Sequence, residues 1–118
     1  MSYIELFSEL RSILKPFSND LVVVRDEEGD YYLDTPHIMK NSKPLYFGSV
    51  KICKNYVSYH LMPVYVFPEL LQNISKELHK RMQGKSCFNF KRIDPLWISE
   101  LETLTRKGYD KYKAAGYL

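Results

Sequence analysis

A chain of 118 residues with 45% hydrophobic and 14% aromatic content has enough apolar material for one domain with its own core. With only five Gly and six Pro, that composition excludes a disordered or low-complexity polypeptide. Seventeen basic side chains against fourteen acidic ones leave a net charge of +3, too small by itself to specify a nucleic-acid or membrane partner.

In chain order, Ser2 can cap a first helix that runs to Leu14, with Ile4, Phe7, Leu10 and Leu14 at spacings of three and four and Leu6 and Ile13 widening the stripe. Pro16 ends it. Residues 21–25 form a β-branched run and residues 31–33 a second strand, joined by an acidic tip that holds Gly29. Residues 35–44 carry two prolines with Asn41 and Ser42 and no sustained period, which predicts a surface connection.

Residues 45–61 read as a β-hairpin. With Lys54 and Asn55 as a two-residue loop, Tyr46, Val50 and Ile52 share a face with Val57, Tyr59 and Leu61. That face is apolar enough to be buried. The other face collects Phe47, Ser49, Lys51, Cys53, Tyr56, Ser58 and His60, a chemically mixed set suited to binding.

After Pro63 and Pro68, Leu71, Ile74, Leu78 and Met82 repeat at helical spacing, and Ser75 offers a cap that would divide this segment into two shorter helices. Gly84 stops it, and residues 86–90 predict a fifth strand with Phe88 and Phe90 on one face. Asp94-Pro95 starts a last helix with Trp97, Leu101 and Leu104 inward, interrupted at Gly108 and followed by Tyr109, Tyr112 and Tyr117. The order is α-β-β-β-β-α-β-α: a single α+β domain over residues 1–118, with helices packed on a mainly antiparallel five-stranded sheet.

Several chemistries can be weighed on these elements. The acidic tip supplies Asp26, Glu28 and Asp30 as oxygen ligands for a hard cation such as iron, although turns favour Asp and Gly for backbone reasons alone. His37, His60 and His79 have no metal-ligand spacing. Gly84-Lys85-Ser86 imitates the end of a phosphate-binding loop, but His79 stands where the upstream Gly belongs and the flanking elements come in the reverse order. Cys53 and Cys87 form no Cys-x-x-Cys pair and are expected as free thiols. Phe47, Lys51, Tyr56, Ser58, His60 and Lys85 together suit a small-molecule or peptide site. Basic residues interleaved with aromatic ones could hold single-stranded nucleic acid, but the rings are first needed for the core, and the modest charge argues against it. No apolar run reaches the roughly 18–20 residues of a membrane span. Glu5, Glu9 and Arg11 break any signal-peptide reading, so a soluble cytoplasmic protein without membrane contact is expected.

From residue 44 to 107 the chain resembles the YdhG-like family of small α+β domains. The resemblance lies in Tyr46-Phe47-Gly48-Ser49-Val50-Lys51 with Tyr56-Val57-Ser58-Tyr59-His60, then a leucine-bearing helix, Gly84-Lys85-Ser86-Cys87-Phe88-Asn89-Phe90, and Asp94-Pro95 with the closing helix. That family is similar in overall fold to frataxins, and one branch is described as an iron chaperone. The resulting expectation is a non-enzymatic binding or adaptor module without a resident cofactor, its partner a small molecule or a protein. A frataxin-like iron-binding protein is the alternative and an enzyme on a small substrate the third reading. A Tyr-rich face also suits a homodimer interface.

Overall fold

The computed structural model describes residues 2–118. Helix α1 (Tyr3–Leu14) opens with a capping box: the Ser2 hydroxyl accepts from the Glu5 amide while the Glu5 carboxylate reaches back to Ser2. Leu6, Phe7, Leu10, Ile13 and Leu14 are buried, whereas Ile4 faces solvent, so the inward stripe is narrower at its start than the spacing predicts. A 3-10 turn, Lys15–Asp20, takes over at Pro16.

Strands β1 (Val22–Glu27), β2 (Asp30–Ile38), β3 (Pro44–Ile52), β4 (Val57–Leu61) and β5 (Cys87–Phe90) form an antiparallel sheet in the order β1-β2-β3-β4-β5. The fold is α+β, as the order of sequence patterns predicts. Strand β2 runs further than expected, through residues read as a connection. Pro36 is tolerated there because the pairing with β3 is irregular between Asp34 and Ile38, so its missing N–H removes no ladder bond. Thr35 holds that stretch from its side chain, donating to the Leu45 carbonyl at 2.9 Å.

The segment between β4 and β5 is broken into α2 (Pro63–Val66), a 3-10 stretch (Pro68–Asn73) and α3 (Lys76–His79). Ser75 makes the last break. Its hydroxyl accepts from the Leu78 amide at 3.1 Å, and its own amide and hydroxyl bond the Glu100 carboxylate at 2.9 and 2.6 Å. Beyond α3 the chain lies along the outer edge of β5, with Asn89 N–H to the Arg81 carbonyl and Gln83 N–H to the Cys87 carbonyl, both 2.8 Å. This covers one sheet edge; β1 forms the other, every residue of it exposed.

Helix α4 (Pro95–Ala114) is continuous through Gly108, which corrects the expected interruption. The missing side chain serves packing: a Cβ at Gly108 would stand 2.8 Å from Cβ of Pro63, the first residue of α2. Tyr109 and Tyr112 are therefore buried parts of the helix. The core lies between α1, α4 and one face of the sheet. It includes Leu10, Leu14, Leu33, Phe47, Tyr59, Leu61, Phe88, Phe90, Leu101 and Tyr112. Among the described residues no helix is long and apolar enough to cross a membrane.

Candidate functional site on the outer sheet face

The β3–β4 hairpin has the two-residue Lys54-Asn55 loop: Cys53 N–H bonds the Tyr56 carbonyl at 2.8 Å, and Val50 lies opposite Tyr59. Val50, Val57, Tyr59 and Leu61 are buried. The sorting fails at one place. Against β2, Leu33 pairs with Gly48 but Asp34 pairs with Tyr46, so Phe47 is an extra residue in β3. This bulge reverses the alternation upstream of it. Phe47 turns inward against Phe17, Tyr109 and Tyr112 and is fully buried, which removes it from the proposed binding set. Tyr46 takes the outer position instead. Gly48 was the available signal, since Gly inside a strand marks a bulge or a close approach; a Cβ there would meet the His60 carbonyl at 2.8 Å.

The face turned away from α1 and α4 carries a row of contacts across the sheet. The Arg25 guanidinium lies 4.5 Å from the Tyr32 ring centre, and Tyr32 stacks on Tyr46 at 4.6 Å and 15°. His60 meets Tyr46 edge-on at 5.1 Å and 87°, and its Nε2 pairs with the Ser86 hydroxyl at 2.6 Å. The Tyr46 hydroxyl bonds that of Ser49. The bulge makes this bond possible by putting residues three apart on one face.

These groups are half-buried by one another, and their protonation follows. Burial holds the Tyr46 phenol well above its ordinary range and lowers the His60 imidazole below 6.5. Burial, with the nearby Asp34 carboxylate, raises Tyr32, and burial raises Asp34 against the pull of Arg25. Cys87 lies directly across from His60 on β5, and its Sγ donates to Asn89 Oδ1 at 3.4 Å. Desolvation raises this thiol too, which leaves it a poor nucleophile. At neutral pH the centre of the face is a set of uncharged donors and acceptors. It is suited to hydrogen bonding and stacking.

Of the other sequence-derived candidates, Lys51 and Ser58 face each other across β3 and β4 on the same outer side as His60. Tyr56 stands at the mouth of the loop, its phenol raised chiefly by the neighbouring Cys53. Lys85 leaves the group and points its ammonium at the Tyr65 ring, 5.9 Å away on α2. Arg25, Tyr32, Tyr46 and Ser86 belong to the row and were not among the candidates, because pairing between strands, rather than spacing along one, brings them in.

The acidic tip does not assemble into a metal site. Asp26 points toward α1, bonded by both nitrogens of a two-pronged Arg11 contact at 2.8–3.2 Å, whereas Asp30 turns to the outer face and Arg25 Nε at 2.7 Å. Residues of opposite strand parity cannot share an ion, and each carboxylate already has a guanidinium. Glu28 sits in the turn between them. Among the described residues no group of three His, Cys, Asp or Glu side chains could hold a metal. Cys53 and Cys87 are free. Comparison with protein-family models, curated proteins and solved structures gives no match.

Proposed function

We propose that this chain is a non-enzymatic binding module of YdhG-like type that receives a small molecule or an extended peptide on its outer sheet face. It acts in the cytoplasm, where Cys53 and Cys87 stay reduced. The observation that carries this reading is the contact row Arg25–Tyr32–Tyr46–His60, which crosses four adjacent strands with its rings already held against each other. A planar or extended partner laid on such a row orders few side chains on binding, so more of the contact energy appears as affinity. Lys51, Ser58 and Asn89 add a cation, a hydroxyl and an amide beside the rings. The raised thiol of Cys87 and the uncharged pair of His60 and Ser86 favour recognition over nucleophilic attack.

The test is a thermal-shift screen of small molecules and short peptides on the wild type, Tyr32→Ala and His60→Ala, with folding checked by circular dichroism. Compounds that stabilise the wild type should lose at least tenfold in affinity in both variants. Hits indifferent to both substitutions would remove the outer face from the function. Sedimentation of the wild type and of a further variant, Tyr32→Lys, distinguishes the remaining partner: a wild-type dimer that Tyr32→Lys dissociates makes the occupant a second copy.

A further inference from the structure

A second surface owes its shape to the broken crossover between β4 and β5. Pro63, Pro68 and the Ser75 cap divide that segment into α2, a 3-10 stretch and α3. Three short pieces cannot pack along their length as one helix would. A groove of about 370 Å³ opens between α2 and the turn after α3, its wall mostly apolar and built from Val64, Pro68, Leu71 and Met82, with the His79 imidazole among them. That volume lies in the range of small-molecule sites. Met82 gives the wall an adaptable thioether side chain, and Tyr65, half-exposed, stands at the rim.

Charge selects the occupant. No carboxylate lines the groove, and Lys85 sits on its edge with its ammonium 5.9 Å from the Tyr65 ring centre. Among the described residues, no acidic side chain lies within ion-pairing distance of Lys85. Along the flanking residues 68–85, Lys76, Lys80 and Arg81 stand against Glu69 and Glu77, and Glu69 is paired with Lys111 at 3.6 Å. An apolar trough with a cation on its rim and no acid in its wall matches an amphipathic anion, whose chain leaves water while its head group pairs with the ammonium.

We infer that the α2–α3 groove binds a small aliphatic carboxylate, its chain along Pro68, Leu71 and Met82 and its carboxylate at Lys85. The site is separate from the outer sheet face and does not depend on that reading.

Titration of the ¹⁵N-labelled full chain with octanoate, octanol and octylamine tests it. Octanoate should shift the amides of Tyr65, Leu71, Met82 and Lys85 and bind at least tenfold more tightly than octylamine. In Lys85→Gln, a change at an exposed side chain whose folding is checked by the dispersion of the amide spectrum, octanoate should weaken about tenfold while octanol is unchanged. Tyr32→Ala, which alters the sheet face far from Lys85, should bind octanoate like the wild type, so loss of the sheet-face reading and loss of this one are told apart. Absence of octanoate shifts at the groove, an octylamine affinity equal to that of octanoate, or indifference to Lys85→Gln would overturn the assignment.

Discussion

Phe47 and Tyr46 show how much a single extra residue decides. One aromatic ring is fully buried against Tyr109 and Tyr112 and the next is at the centre of the outer face, because β3 carries one residue more than β2 at that point. Phe47→Ala should therefore cost about 3–5 kcal/mol of stability in urea denaturation, the usual penalty for emptying a buried phenyl position. A loss under about 1 kcal/mol would mean that the ring is not in the core.

His60 makes a pH prediction at the same scale. Its folded value is lowered by burial beside Tyr46, Ser86 and Cys87, so the unfolded chain takes up its proton first as pH falls. The contribution of the neutral ring is fully present above 6.5 and is lost as pH drops through the lowered folded value. Asp34, raised by burial, works with the opposite sign at lower pH. The comparison is therefore made between proteins: urea midpoints at pH 7.5 and 5.5 should fall further for the wild type than for His60→Gln. Equal falls would show that the ring is solvated.

Among the elements, α4 sets propensity against packing. Gly108 lies in a helix interior, where Ala normally gains about 1 kcal/mol. Here the added methyl would meet Pro63 at 2.8 and 3.1 Å, and overpacking of this kind costs roughly 1–3 kcal/mol. Gly108→Ala should thus lower stability by on the order of 1 kcal/mol, although helicity alone argues for a gain. A higher melting temperature would mean that α2 gives way. The two sheet edges differ for a related reason, the path of the chain. β5 is covered by residues 81–83, whereas β1 keeps Val22, Val23 and Val24 exposed and has only β2 beside it. Its register shift between Val23 and Arg25 interrupts the regular pairing that an edge would otherwise offer to another chain.

At the scale of the molecule, one cluster of buried side chains draws on α1, all of β2 to β5 and α4. The 3-10 turn after α1 joins the same cluster through Phe17, and the Tyr59 hydroxyl reaches Thr105 of α4 at 2.6 Å. A single core predicts a single transition. Fluorescence of Trp97, the one tryptophan and a buried neighbour of Phe90, and far-ultraviolet dichroism should report the same urea midpoint. Separated midpoints would mean that the molecule unfolds in more than one step.

Local chemistry determined where elements begin and what kind they are. The Ser2 and Asp94 caps, the Lys54-Asn55 loop and the paired phenylalanines of β5 act within a few residues and are legible as patterns. Tertiary structure decided what each side chain faces. The Phe47 bulge sits beside Gly48, whose backbone passes close to the His60 carbonyl, and α4 runs through Gly108, whose missing side chain leaves room for Pro63. Asp26 and Asp30 of the tip separate because each finds an arginine on a different side of the sheet. These outcomes depend on contacts between residues from 5 to 45 positions apart, and no period along the chain records them.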